Sequence, residues 1–292
     1  MKILLFGSTG QVGSSINEYL SSYCKILTDH DQSKRLNLQS KAEVENFLKL
    51  NQADLYINAA AYTDVDGAEN NQQECQDINV NFVEQLVLFL KKHNKPLIHF
   101  STDYVYGDSN DSLLKEDSHC APLNYYGLTK KLAEDIIFEN LDHYFIFRIS
   151  WVYSHRRNNF YKTMKQLFLK KNEINIIDDQ WGAPTPANFV AEIITHLIST
   201  NKLKKNLTGI YNLAPSNFTN WYEFAQNIYK NYQQKKSTDI ILKPTKTENY
   251  QTTAIRQKNS KLDCEKIKKT FDLQIPDWEY LLNEHEKRNI NE

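Results

Sequence analysis

Short apolar runs alternate with amphipathic stretches through the first half of the chain. Lys2–Gly7 reads as a buried strand, Gln11–Ser22 as a helix and Cys24–Asp29 as a second strand. Lys41–Leu50 carries Val44, Phe47 and Leu48 on one helical face. Asp54–Ala60 is predicted as a strand, Glu74–Lys92 as a long helix and Pro96–Thr102 as a strand. Asn124–Glu139 is predicted as a helix and His143–Ser150 as a strand. Near-continuous apolar strands separated by helices predict a parallel sheet covered on both faces. The handedness of such crossovers makes it doubly wound.

Beyond Ser150 the pattern loosens. Helices are predicted over Asn158–Lys171, Ala187–Ser199 and Asn220–Tyr232, strands over Ile174–Asp178 and Ile210–Ala214, and a loop over Lys243–Asn259. The expected division is a dinucleotide-type domain of residues 1–152 with a returning segment of about 174–200. A smaller α/β lobe then comprises 153–173 and 201–292.

Composition narrows the functional classes. The chain has 292 residues, with 35 Lys plus Arg against 36 Asp plus Glu, a net charge of -1. Such a balance supplies no global field for nucleic acid or an acidic membrane, but leaves room for a local anion pocket. No apolar run approaches the ~20 residues of a membrane helix. Four cysteines (Cys24, Cys75, Cys120, Cys264) are far apart and form no CxxC, which argues against structural zinc or a disulfide framework. A cytoplasmic protein is expected.

Gly7-Ser8-Thr9-Gly10-Gln11-Val12-Gly13 follows the first strand and opens the first helix, using three of the eight glycines. One glycine permits the tight turn, one lets a pyrophosphate approach, and one lets helix and strand pack closely. The helix N-terminus then offers N–H groups to the phosphates. Asp29 ends the second strand, where a carboxylate accepts from an adenine ribose and favours NADH. Lys34 and Arg35 follow and could instead meet a 2′-phosphate, so NADPH and NADH both remain open. The expected fold is α/β: a Rossmann-type doubly wound parallel sheet with a smaller α/β substrate-binding lobe.

Tyr126-Gly127-Leu128-Thr129-Lys130 puts a phenol and an ammonium at i and i+4 on one helical face. A nearby cation favours phenolate, so Tyr126 could exchange a proton with a carbonyl or alcohol oxygen during hydride transfer. Tyr161…Lys165 and Tyr232…Lys236 match the same spacing. Only Tyr126 follows a buried strand ending in hydroxyls, Ser101-Thr102-Asp103, so the other two are expected to be surface or packing residues.

With these motifs in place the chain resembles the extended short-chain dehydrogenases/reductases, and among them the dTDP-4-dehydrorhamnose reductases. The resemblance rests on the glycine loop, Asn58-Ala59-Ala60-Ala61-Tyr62-Thr63-Asp64-Val65-Asp66, Ser101-Thr102-Asp103-Tyr104 and Ala121–Gly127. It continues through Arg148-Ile149-Ser150-Trp151, Asn158-Asn159-Phe160, Asp179–Thr185, Arg256 and Asn259-Ser260. It implies reduction of the 4-keto group of dTDP-4-dehydro-L-rhamnose by NADPH or NADH, with Thr102, Tyr126 and Lys130 catalytic and Tyr126 donating the proton. It further implies that Gly7, Gly10, Gln11, Val12 and Gly13 line the pyrophosphate, and that Asp29, Asn37 and Leu38 face the adenosine. Ala59, Ala60, Ala61, Tyr62 and Thr63 would run beside the ribose and nicotinamide. Thr102, Asp103, Trp151, Asn159, Gln180 and Arg256 would contact the sugar nucleotide.

Departures from the resembled families matter as well. Sugar 4,6-dehydratases carry Thr-Asp-Glu where this chain has Thr102-Asp103-Tyr104, which favours simple carbonyl reduction. Some members of the resembled family dimerise through a shared magnesium held by glutamates. Ser14, Ser15 and Asn188 stand at the corresponding places, and such oxygens are weaker ligands for a hard dication. A monomer or weak homodimer without a metal link is therefore expected. Two alternatives stay open: a reductase of another nucleotide-linked 4-keto-6-deoxy sugar, or a non-catalytic NADP-binding subunit resembling the regulatory subunit of methionine adenosyltransferase.

Overall fold

A computed structural model describes residues 1–30, 35–108, 112–233 and 239–288. Six parallel strands form the central sheet: β1 (Lys2–Phe6), β2 (Lys25–Thr28), β3 (Leu55–Asn58), β4 (Leu97–Thr102), β5 (Tyr144–Ile149) and β6 (Gly209–Asn212). Their spatial order is β6-β5-β4-β3-β1-β2. The order reverses between β1 and β3, and the crevice beyond the carboxyl ends of such strands is where open α/β sheets bind ligands.

Alternation along β1 shows how the two faces are covered. Leu4 and Phe6 face one way, with Val44 and Leu48 of the helix Lys41–Leu50 and Val83, Leu86 and Leu90 of Phe82–His93. Ile3 and Leu5 face the other, with Ile16 and Leu20 of Gln11–Leu20 and Val190 and Ile194 of Ala187–Ser199. A separate apolar cluster of Tyr153, Tyr161, Met164, Phe224, Ile228 and Trp278 forms the core of the second lobe.

Four sequence expectations require correction. Ile210–Ala214, assigned to the small lobe, supplies β6, which pairs in parallel with β5. The helix Ala187–Ser199 carries the chain back across the sheet, and a crossover of this kind returns to the same sheet. Conversely, Glu173–Ile177 leaves the large domain and pairs in parallel with Ile241–Thr245, which runs into the start of the stretch expected to be a loop. Lys243 and Pro244 hide that strand from a hydropathy reading, because Ile241–Thr245 is at least partly exposed along its whole length. Finally, the predicted Glu74–Lys92 helix runs as Gln72–Gln76, a π-helical turn at Asp77–Asn81, and Phe82–His93. The extra residue in that turn aims the buried Asn79 inward; turns of this type concentrate at functional sites.

Candidate active site

The carboxyl ends of β1, β3 and β4 open into a cleft of about 790 Å³, whose far wall comes from the second lobe. Gly7, Gly10, Gln11 and Val12 form its floor at β1, and Ala59, Ala60, Ala61 and Thr63 continue it at β3. Thr102, Asp103, Tyr126, Lys130, Trp151 and Asn159 line the rest.

The glycine loop has the shape a dinucleotide phosphate needs. Gly7 has φ +77°, and a Cβ there would lie 2.4 Å from Ala59 C and Ala60 N. A Cβ on Gly13 would lie 2.1 Å from the Gly7 carbonyl oxygen, so only glycine lets the helix pack this close to the loop. The helix Gln11–Leu20 begins at Gly10, with no side chain capping its first N–H groups and no acidic residue in its first turn. Those donors and the positive end of the helix dipole face the cleft. The residues present fit a dinucleotide.

Asp29, expected at the adenosine, has another use. Its buried carboxylate accepts from Gly7 N (2.9 Å), Ser8 N (3.2 Å) and Ser8 Oγ (2.9 Å), so it shapes the loop from behind. Asn37 and Leu38 also stand outside the cleft. Asn37 Oδ1 accepts from Gln39 N in the turn before the second helix, and Leu38 packs into the core. Arg35 does reach the cleft lining, whereas Lys34 lies outside the described residues. Tyr62 is held by its backbone: Asn79 Oδ1 accepts from Tyr62 N and Asn79 Nδ2 donates to Tyr62 O. The π turn thus fixes the segment Ala61–Thr63 beside the cleft.

Thr102 and Tyr126 converge from different elements. Thr102 is the last residue of β4, and Tyr126 sits in the first turn of the helix Tyr125–Asn140, which Asn124 caps through Gly127 N. Both side chains line the same cleft. Burial of its hydroxyl end pushes the Tyr126 phenol well above the usual tyrosine range, with the neighbouring Thr102 hydroxyl opposing, so it carries its proton at neutral pH. Tyr104 stands edge-on to Tyr126 with ring centroids 5.8 Å apart.

Asp103 is almost fully buried. Gln257 Nε2 donates to Oδ2 at 3.1 Å and Thr102 Oγ1 donates to Oδ1 at 3.1 Å. Burial pushes its carboxyl up from 3.8 to about 6, and the hydrogen bonds from Ser260, Thr102 and Gln257 oppose that rise. A raised carboxyl pKa means the fold prefers the protonated form. The associated stability is present below pH 3.8 and lost as pH rises through about 6. Asp103→Asn cannot ionise, so its melting temperature should gain on wild type as pH rises across that window. Parallel melting curves that keep a constant offset would contradict the assignment.

Trp151 has a left-handed backbone, φ +49°, which is rare for a bulky residue. Its indole is held between Gly182, where a Cβ would lie 2.7 Å from the ring, and Trp221, stacked at 3.6 Å and 12°. Gln180 stands behind the cleft: its Oε1 accepts from Trp221 Nε1 at 3.0 Å, so it acts on the wall through Trp221. Asn159 Nδ2 donates to Gln11 Oε1 at 2.8 Å while its Oδ1 caps the helix Phe160–Leu167. Arg256 also lies behind the lining. Its guanidinium meets Asp66 in a bidentate pair (Nη2–Oδ2 2.6 Å, Nη1–Oδ1 3.1 Å).

Three residues at or behind the cleft carried no sequence motif. Arg157, at φ +61°, donates from Nε to Thr9 O at 3.0 Å and brings a cation over the glycine loop. Trp221 and Asn79 are the others. A polar residue in the apolar face of a long helix was the available signal for Asn79, since a buried amide must find partners. The remaining tyrosine–lysine spacings have other uses. Tyr161 OH donates to Glu286 at 2.5 Å and accepts from Lys165 at 2.8 Å, which ties down the C-terminal helix. Lys236 lies outside the described residues. Ser14, Ser15 and Asn188 supply no carboxylate, and the described residues contain no group of three His, Cys, Asp or Glu placed to hold a metal. No helix among them is long and apolar enough to cross a membrane.

Comparison with known proteins agrees with this geometry. Residues 1–289 match the family model described as the RmlD substrate binding domain. The dTDP-4-dehydrorhamnose reductase of Escherichia coli K12 is 35% identical, with 100% of this chain and 98% of the relative covered. That of Salmonella typhimurium is 34% identical, covering 96% and 95%. Among solved structures, the dTDP-4-dehydrorhamnose reductase of Bacillus anthracis in complex with NADP superposes with a TM-score of 0.87 at 29% identity, covering 98% and 97%. The chain is therefore a member of the RmlD family, to which the dTDP-4-dehydrorhamnose reductases belong.

Proposed function

We propose that this protein reduces the 4-keto group of dTDP-4-dehydro-L-rhamnose to give dTDP-L-rhamnose, using NADPH or NADH. The observation that carries the reading is that Thr102, at the carboxyl end of the sheet, and Tyr126 line one cleft with a glycine loop whose N–H groups are uncapped. The bound nicotinamide supplies the hydride. The protein's part is to bind, orient and donate a proton.

Gly10, Gln11 and Val12 hold the cofactor diphosphate through backbone N–H groups, with Arg157 above them. Thr102 Oγ1 and Tyr126 OH take the substrate carbonyl oxygen between them. Tyr126 gives it the proton as the carbon is reduced, a transfer for which a protonated phenol is the correct starting state. Lys130, as an ammonium, then offsets the phenolate left behind. Trp151, backed by Trp221, provides an apolar face for the sugar nucleotide. Arg256 exchanges part of its contact with Asp66 for the substrate diphosphate, which matches guanidinium geometry. We place the reaction in the cytoplasm, where unpaired cysteines such as these persist.

The test is oxidation of NADPH or NADH in the presence of the keto sugar. Turnover supports the reading. Failure with every nucleotide-linked 4-keto sugar would move the protein to the non-catalytic, regulatory-subunit class. Preferred turnover of a different 4-keto-6-deoxy sugar would reassign the substrate. Losing a charge-assisted contact costs roughly 1.5–3 kcal/mol. Arg256→Ala should accordingly raise KM for the sugar nucleotide by about 10- to 100-fold with kcat little changed, the signature of lost uniform binding. Steady-state kinetics at saturating cofactor read this directly; an unchanged KM removes Arg256 from the substrate site.

A further inference from the structure

Lys130 is buried, and its contacts constrain its charge. Nζ lies 2.7 Å from the Phe100 carbonyl oxygen and 3.2 Å from Nε2 of His99. His99 is fully buried within β4, and its other ring nitrogen, Nδ1, lies 3.1 Å from Nδ2 of Asn58. That amide cannot be turned round. Asn58 Oδ1 accepts the Ala60 N–H at 3.0 Å, and a backbone N–H only donates. The amide NH₂ therefore faces the ring, Nδ1 accepts from it, and the proton of the neutral imidazole sits on Nε2. This N–H points at Lys130. An ammonium has three donors and no acceptor, so donor would face donor. A neutral amine resolves the conflict, accepting from Nε2–H while donating to the Phe100 carbonyl.

We propose that Asn58 and His99 hold Lys130 as a neutral amine in the ligand-free protein, so that dinucleotide binding is coupled to uptake of a proton at Nζ. The proposal rests on the reading of Lys130 as a cofactor-facing group. The step balances simply: the amine takes one proton from solvent and becomes an ammonium, while His99 keeps Nε2–H. The ammonium, now only a donor, must leave Nε2–H and turn to acceptors in the cleft. His99 and Asn58 are positioning residues acting through Lys130.

The groups around the amine are compatible with this. Glu134, one turn along the helix, is committed to Arg148 at 2.6 Å. The Cys75 thiol and the Tyr126 phenol are both pushed up by burial and stay neutral. Asp103 is tied to Gln257 and Thr102. Burial brings Lys130 down to about 8 and His99 well below the usual histidine range. A reduced dinucleotide adds diphosphate charge to the cleft and favours the ammonium, whereas an oxidised nicotinamide adds a cation and opposes it.

Two measurements test the proposal. Long-range proton–nitrogen NMR of the histidine side chains, with His99→Gln to assign the resonance, should show His99 protonated at Nε2 and bare at Nδ1. Calorimetry of NADPH or NADH binding, whichever binds tighter, is run just above pH 8 in buffers of different ionisation enthalpy. It should show net uptake of a substantial fraction of a proton per dinucleotide, rising toward one as the pH is raised to about 9, and less with the oxidised cofactor. Asn58→Asp keeps the acceptor for Ala60 N but presents a carboxylate to Nδ1. It should reverse the tautomer, leave Lys130 charged and abolish the uptake. An Nδ1–H tautomer in the wild type, or cofactor binding without proton uptake, would overturn the proposal. Proton-coupled cofactor binding in a protein that reduces no keto sugar would support it and defeat the proposed activity instead.

Discussion

Tyr126→Phe is expected to lower kcat by about 10²–10⁴-fold, the range of a lost general acid. Cofactor affinity should stay close to wild type. The variant removes a single oxygen. The ring remains against Tyr104, the Asn124 cap at Gly127 remains, and Lys130 keeps its contacts with Phe100 and His99. Thr102 keeps its acceptor on Asp103. The loss should therefore fall on the chemical step, and a single-turnover experiment with preloaded cofactor would isolate it. Activity within a few-fold of wild type would show that another group, or water, supplies the proton.

The second large effect concerns stability. Arg148 and Glu134 form a bidentate pair in the core, Nη2–Oε2 at 2.6 Å and Nε–Oε1 at 2.9 Å, with 2% and 1% of the side chains exposed. Arg148 also donates to Tyr106 OH at 2.7 Å, which donates on to Asn212. The pair thus joins β5 and β6 to the helix bearing Tyr126 and Lys130. Arg148→Leu leaves Glu134 buried without its partner, which should cost about 3–5 kcal/mol in urea unfolding. Replacing both partners by methionine should recover much of that loss, because the pair itself nets little against its desolvation. A single variant as stable as wild type would refute this account.

The strands and the glycine loop were readable because burial on two faces leaves apolar runs and because φ +77° at Gly7 admits little else. Thr102 and Tyr126 were readable together, as a hydroxyl at a strand end and a phenol at a helix start. The lower legibility of the second lobe has physical causes. Glu173–Ile177 alternates with Ile174 and Ile176 buried and could be read, but its partner Ile241–Thr245 has no fully buried position, so its periodicity is weak. Roles that depend on a partner's orientation were hidden altogether. Asp29 reads as a ribose ligand until Gly7 N and Ser8 N are seen to occupy it. Gln180 reads as a substrate contact until its link to Trp221 is visible. The pairing of Arg256 with Asp66 spans 190 positions, beyond the reach of any local pattern.

The return of the chain to the large sheet at Gly209–Asn212, after it has already built part of the small lobe, has an evolutionary consequence. Neither half is a contiguous cassette. Recombination at a single crossover would sever β6 from β5 and expose a raw hydrogen-bonding edge. New sugar preferences in this architecture must arise by point change or by growth of the segments between strands, since terminal module exchange would break the fold that holds the phenol in place.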